Sequence, residues 1–316
     1  MLTLREDAVK MYFLGVELYA FGLYVALGLA LGLTILAVLL KKAKWQSGAA
    51  ALTGLLSMAL GLIFSRLFYG LMDDALGRPL PLWAMLRLNT GGYSMMGALA
   101  GACLGAFLAG KLLKQESLRL LDFLAPALML FVACERLGEG YSEEFGVSRV
   151  LLSPIFENFF LAVEDDFGWK LCTYLLESFT ALILCLVLLR DEKPNRRAGD
   201  TFLKMLILYG ATQILMESLR YDQHMTVNAY VKYQQVMAML LLAGGVIVLA
   251  LRMWNKKRGL AAAALADLPV TVGLGVAIEF MIDRTDMNRF LLYLAFVAVV
   301  AVQAALGLKL RKGENP

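Results

Sequence analysis

Histidine is nearly absent from this 316-residue chain. His224 is the only one, which excludes multi-histidine metal centres and a Ser-His-Asp triad of the usual build. Cysteine is scarce too. Cys103, Cys134, Cys172 and Cys185 show no CxxC pair and no metal-ligand spacing, so they read as small buried hydrophobes within apolar spans. Charged residues make up only 18% of the chain, and there is no low-complexity tract and no clear internal repeat. The last absence weakens a transporter built from repeated halves with broken helices. The first twelve residues, MLTLREDAVKMY, are too polar for the apolar region of a signal peptide, so the first span is expected to stay in the mature protein.

Long apolar runs are abundant instead. The chain is 60% hydrophobic with a mean hydropathy of +0.68. Runs of about 20 apolar residues, enough to cross roughly 30 Å of hydrocarbon, recur along its length. Nine spans are predicted, near 15–40, 48–72, 92–110, 120–138, 170–189, 201–220, 233–253, 261–282 and 289–308. Eighteen of the 30 Lys and Arg fall on one set of alternate loops and nine on the other. By the positive-inside rule the richer side is cytoplasmic, with the N-terminus outside and the C-terminus inside. The net charge of +4 follows from that bias and is no sign of nucleic-acid binding.

Two seams divide the chain. Residues 190–197 (RDEKPNRR) form a charged hinge, and residues 255–259 (NKKRG) precede two Ala- and Val-rich spans. The expected architecture is an all-α polytopic membrane protein, with a seven-span domain over 1–255 and a two-span extension over 256–316. The extension reads as a packing appendage. Residues 73–90 are expected to lie along the outer interface. Residues 139–170 are acidic but contain VLLSPIFENFFLAV (150–163), expected to be an interfacial helix or a small capping element. Such a loop suits a lid over a lipid-facing site, or a plain extracellular loop.

The remaining three basic residues, Arg66, Arg136 and Arg220, sit inside or at the edge of apolar spans. A guanidinium keeps its proton, so placing it near lipid costs several kcal/mol unless an anion partners it. Four polar clusters surround these positions: SRLFY (65–69), GGYSMMGAL (91–99), ERLGE (135–139), and Gln213, Glu217 and Arg220, whose spacing puts them on one helix face. Two readings compete. Converging guanidiniums suit a phosphate-bearing ligand at the outer leaflet. Alternatively, the arginines pair with Glu135, Glu139 and Glu217 and join helices. Glycines 91, 92, 97, 101 and 105 permit close backbone approach to a ligand or to a neighbouring helix.

These blocks resemble the prolipoprotein diacylglyceryl transferase family. LLDFLAPALMLFVACERLGEGYSEEFG (120–146) is similar to its signature region, where an Asp and a Pro precede an Arg-x-Gly-Asn motif. AGDTFLKMLILYGATQILMESLRYD (198–222) is similar to its sixth helix. SRLFY, GGYSMMGALAG (91–101) and LYAFGLYVALG (18–28) follow in matching order, and Gln234 or Gln235 matches a family glutamine.

The resemblance covers roughly 15–253 and implies a seven-helix core. It also implies transfer of a diacylglyceryl group from phosphatidylglycerol to a lipobox cysteine thiol, releasing glycerol phosphate, in a bacterial plasma membrane. By position, Arg136 and Arg220 are implied to be catalytic, and Arg66, Tyr69, Gly92, Ser94, Gly97, Gln213, Glu217 and Glu144 to bind substrate. Gln213 and Glu217 would position Arg220. No metal and no cofactor are expected, and the expected partners are the phospholipid and the prolipoprotein signal peptide, met by a monomer.

The chain departs from the family where Met96 replaces its histidine, Glu139 its signature asparagine and Phe21 a tyrosine. Glu139 or Glu135 then becomes the candidate base for the thiol. The alternative is a non-catalytic relative that binds an anionic phospholipid.

Overall fold

The computed structural model describes residues 10–13, 16–72, 80–85, 92–141, 146–151, 157, 159–165, 167–191, 196–221 and 231–311. Among them nine helices are long and apolar enough to cross a membrane. In chain order the elements begin with a hairpin of β1 (Lys10–Phe13) and β2 (Val16–Tyr19), followed by α1 (Ala20–Lys42), α2 (Ala49–Met72), the single turn α3 (Leu82–Met85), α4 (Met95–Leu112) and α5 (Ser117–Glu139). Three short strands follow: β3 (Val147–Val150), β4 (Ala162–Asp165) and β5 (Gly168–Cys172). The chain ends with α6 (Thr173–Asp191), α7 (Asp200–Leu219), α8 (Tyr233–Met253), α9 (Arg258–Arg284) and α10 (Arg289–Arg311).

All nine expected spans are helices, and two of their starts are set by strands. Helix α1 begins at Ala20 because Val16–Tyr19 pairs antiparallel with Lys10–Phe13. Helix α6 begins at Thr173 because Gly168–Cys172 is the middle strand of a sheet ordered β3-β5-β4. Cys172 therefore closes a strand rather than lying in a span. The fold is thus helical across the membrane but carries two small sheets that an all-α reading omits. Val150 at one end of the expected interfacial helix or capping element closes β3, and Ala162 and Val163 at the other open β4, both strands paired to Gly168–Cys172, while residues 152–156 and 158 lie outside the described residues. Short β-branched segments that pair locally satisfy their backbone groups without a helix. Of the loop 73–90, α3 carries an exposed Trp83.

Helix α5 is the centre of the bundle. In its most apolar stretch 78% of residues are buried, against 22% for α1, so α5 is surrounded by protein while α1 faces outward. Pro126 sits inside α5, a break that neighbouring helices tolerate within a membrane bundle. Helix α4 presses on α2 through glycines four residues apart. A Cβ on Gly97, Gly101 or Gly105 would lie 2.5, 2.2 or 2.5 Å from the carbonyl oxygens of Phe64, Leu60 and Leu56. With little hydrophobic drive between helices in lipid, such small-residue contact is what holds them together. Gly97, expected at the ligand, is thus taken up by helix packing.

One end of the bundle is tied by carboxylates. Asp122 of α5, fully buried, accepts from Gly199 N (2.8 Å) and Phe202 N (2.9 Å), capping α7 from another helix. Gly199 has φ +89°, which favours glycine. Asp191 at the end of α6 meets Arg196 (2.9 Å), Lys204 (3.5 Å) and Arg311 of α10. The opposite end holds the close of α5 and α7 and the β3-β5-β4 sheet.

Candidate functional site

Three helices deliver buried charge to that opposite end. Helix α5 contributes Glu135, Arg136 and Glu139 in its last turn, α6 contributes Glu177 one turn from its start, and α7 contributes Gln213, Glu217 and, just past its end, Arg220. Arg136, Glu139, Glu177, Gln213, Glu217 and Arg220 are all buried.

Arg136 lies 2.8 Å through Nη1 from Glu139 Oε2, and through Nε 2.9 Å from Glu177 Oε2 and 3.5 Å from Glu135 Oε2. Arg220 Nη1 lies 3.2 Å from both Glu139 Oε2 and Glu177 Oε1, and its Nη2 donates to Glu139 Oε1. Glu139 and Glu177 thus each bridge both guanidiniums, in a square that joins α5, α6 and the end of α7. Gln213 Nε2 donates to Glu177 Oε2 (3.1 Å) and to Glu217 Oε1 (3.2 Å).

This geometry decides between the two sequence readings in part. Arg136 and Arg220 do converge, and Gln213 and Glu217 flank them. But the guanidiniums are already closed on carboxylates, so helix joining is realised, and the partners are Glu139 and Glu177 as well as Glu135. A buried ion pair of this kind balances a large desolvation cost against attraction, so losing one member is far more damaging than the pair is stabilising. Glu135 differs from Glu139. Its Oε2 has no hydrogen-bond donor, whereas Glu139 is held by two arginines.

Arg66 belongs to a second assembly between α2, α3 and the start of α4. It donates through Nε to Met85 O (3.2 Å) and through Nη1 to Gly92 O. Its guanidinium sits 5.8 Å from the Tyr69 ring centre and 5.3 Å from that of Tyr93. Ser65 Oγ donates to Ser94 O at 3.0 Å, and the Ser94 hydroxyl accepts from Gly97 N at 3.3 Å, capping α4. Gly92 has φ +75°, and a Cβ there would lie 2.3 Å from Tyr69 Cε1. The structure therefore gathers Arg66, Tyr69, Gly92, Ser94 and Gly97 with one another. Glu144 lies outside the described residues.

An apolar cavity of about 550 Å³ lies between α1, α2, α4 and α5. Ser65 and Tyr93 line it on the Arg66 side, and Phe21 and Phe131 on the other. Leu124, Leu128 and Phe131 form its α5 wall, and Glu135 is the next residue on that helical stripe. Phe21, at the family's tyrosine position, packs beside Gly138, where an added Cβ would lie 3.3 Å from its Cδ2. Met96, at the histidine position, is buried in the apolar core. Among the described residues no group of three or more His, Cys, Asp or Glu is placed to hold a metal ion.

Sequence reasoning missed Glu177. The signal was available, because a lone carboxylate in TYLLESFT carries the same burial cost as the three arginines.

Comparisons with known proteins identify the family. Residues 8–251 match the family model described as prolipoprotein diacylglyceryl transferase. A phosphatidylglycerol–prolipoprotein diacylglyceryl transferase 1 of Clostridium perfringens is 24% identical over 254 residues, 77% of this chain and 95% of the relative. The Thermotoga maritima phosphatidylglycerol–prolipoprotein diacylglyceryl transferase is 31% identical over 199 residues, 61% of this chain and 67% of its own. That of Parasynechococcus marenigrum is 30% identical over 255 residues, 75% and 89% respectively. The chain belongs to the prolipoprotein diacylglyceryl transferase family.

Proposed function

We propose that, as a member of that family, the chain moves a diacylglyceryl group from phosphatidylglycerol to the thiol of a lipobox cysteine at the outer leaflet of a bacterial plasma membrane. The N-terminus then lies outside and the C-terminus inside, with residues 1–255 as the seven-span catalytic domain and 256–316 as an extension. The monomer acts without metal or cofactor. One observation carries the reading: an apolar cavity of about 550 Å³ whose α5 wall leads, one turn on, to the buried arginine–carboxylate square. Acyl chains fill such a cavity, while the headgroup stops where charge begins.

In the transfer the thiol gives its proton to a carboxylate, and the sulfur attacks the glyceryl methylene carbon that bears the phosphate. The carbon–oxygen bond breaks, its electron pair leaving with glycerol phosphate. Arg136 and Arg220 oppose the charge that grows on the leaving phosphate. Arg136 makes its pairs through Nε and Nη1, so Nη2 is the donor presented to a phosphate oxygen. Gln213 and Glu217 keep Glu177 and Arg220 in register. Ser65 and Tyr93 form the far wall, held in place by Arg66, Tyr69, Gly92, Ser94 and Gly97, and Glu144 binds substrate. Of the two candidate bases, Glu135 is the better. Glu139 is locked between two guanidiniums, which weakens it as a proton acceptor, whereas Glu135 has an oxygen without a donor.

The test uses purified protein, labelled phosphatidylglycerol and a lipobox peptide. A thioether-linked product, lost in Arg136→Ala, is expected. No product, where another family enzyme gives product in parallel, overturns the reading. The closed pairing of Arg136 and Arg220 with glutamates, together with Met96, supports a second reading, a phospholipid-binding relative without turnover. Glu135→Gln separates the two: an enzyme loses turnover and keeps its lipid, while a binder is little changed.

A further inference from the structure

Helices α9 and α10 lie wholly beyond the residues that match the family, yet they reach back to the segment that carries Arg220. Helix α7 ends at Leu219, and Arg220 is extended, with ψ 142°. The last carbonyls of a helix have no partner within it. Here Lys232 Nζ donates to Glu217 O (2.8 Å) and Arg220 O (2.6 Å), and the Tyr293 hydroxyl of α10 donates to Ser218 O (3.1 Å). Lys232 is itself held, since its backbone N donates to Gln235 Oε1 (3.1 Å), while Gln235 Nε2 donates to the buried Glu279 of α9 (2.5 Å).

A third strut arrives from the sheet. Ser148 of β3 bridges to Arg220, and Tyr221 N donates to Val147 O (2.9 Å). Beside them Arg149 Nη2 lies 2.5 Å from Asp283 Oδ1 of α9, with its guanidinium 5.2 Å over the Tyr221 ring. Each of the three contacts that shape residues 217–221 is thus made by the hairpin or backed by one of its carboxylates. The far end of the hairpin is tied as well, through Arg311 to Asp191.

We propose that the α9–α10 hairpin is a brace that sets the position of Arg220, with Glu279 and Asp283 as its positioning residues. The expectation of a packing appendage leaves unexplained why two carboxylates face the Arg220 segment and one of them is buried. A guanidinium misplaced by about 1 Å costs on the order of 100-fold in rate, so a chain that pairs its arginines through glutamates gains from a rigid support behind them.

The inference rests on the transferase reading, and the experiment separates the two. Full-length Glu279→Ala, Glu279→Gln and Asp283→Ala variants are compared with the parent by amide hydrogen exchange over residues 146–151 and 216–221, and by diacylglyceryl transfer. Faster exchange in these segments is expected in both alanine variants. In Glu279→Ala, kcat is expected to fall 10- to 100-fold, on the order of the misplacement cost, at unchanged KM for the peptide. Glu279→Gln, which still accepts from Gln235, restores the parent's exchange and rate, and it also serves if Glu279→Ala does not fold. Unchanged exchange in the alanine variants overturns the brace, as does faster exchange with full turnover. Faster exchange in a protein whose parent shows no transfer leaves the brace standing and overturns the transferase reading instead.

Discussion

Glu177 of α6 stands 2.9 Å from Arg136 of α5 and 3.2 Å from Arg220 beyond α7. One carboxylate therefore fixes the separation of two guanidiniums that come from different helices. Replacing it with alanine leaves two buried cations sharing Glu139, with only Glu135 at 3.5 Å beside Arg136. Glu177→Ala is expected to cost about 3–5 kcal/mol of stability, and Glu177→Gln less. Thermal unfolding in detergent measures both, and a double-mutant cycle with Arg136→Ala isolates the pair.

Arg136 and Arg220 are expected to differ from an ordinary structural pair in what they do to turnover. Arg136→Ala should lower transfer about 10²–10³-fold, the usual effect of losing one donor to a developing negative charge. Arg136→Lys should not restore it, because an ammonium lacks the planar fork that meets Glu139 and Glu177 together. Initial rates with labelled phosphatidylglycerol check both.

Glu135→Gln is expected to abolish turnover while leaving phospholipid binding intact, because the amide accepts no thiol proton at neutral pH. A Glu135→Gln protein that turns over at the parental rate would move the base to another group. Lipid retention after gel filtration provides the binding readout.

Gly101→Ala should destabilise the protein by about 1–3 kcal/mol, as overpacking does. Its Cβ would sit 2.2 Å from Leu60 O, a backbone atom that cannot move aside. At Gly244, where nothing lies within 4 Å of such a Cβ, the same change should instead be neutral or stabilise by up to about 1 kcal/mol, since alanine favours a helix. Unfolding midpoints of the two variants should therefore shift in opposite directions or differ plainly in size.

Asp122→Ala removes the acceptor for Gly199 N and Phe202 N at the start of α7. A loss of about 1–2 kcal/mol is expected, in the range of a deleted helix cap. Asp122→Asn, which keeps an acceptor, should lose less in the same unfolding assay.

Much of this was legible in the residues. A helix in lipid satisfies its own backbone, so each span shows up locally as an apolar run of the right length, and all nine were readable. Arg136 and Arg220 stood out because an intramembrane guanidinium has no cheap local explanation. The starts of α1 and α6 were not legible, since whether Val16–Tyr19 and Gly168–Cys172 pair as strands depends on a partner segment. Glu177 was overlooked because a single carboxylate in an apolar run does not say which helix it faces.

The sequence by itself determined the number of apolar spans, the family, and that Arg66, Arg136 and Arg220 needed partners. Tertiary structure alone decided who neutralises whom. It placed Glu139 and Glu177 between the arginines, gave Arg66 to a separate assembly with Tyr69 and Gly92, and brought Glu279 and Asp283 back to the Arg220 segment. The physical reason is range. Hydrophobic length and burial cost are properties of one segment, whereas an ion pair between helices is a property of their relative rotation and depth, which only packing sets.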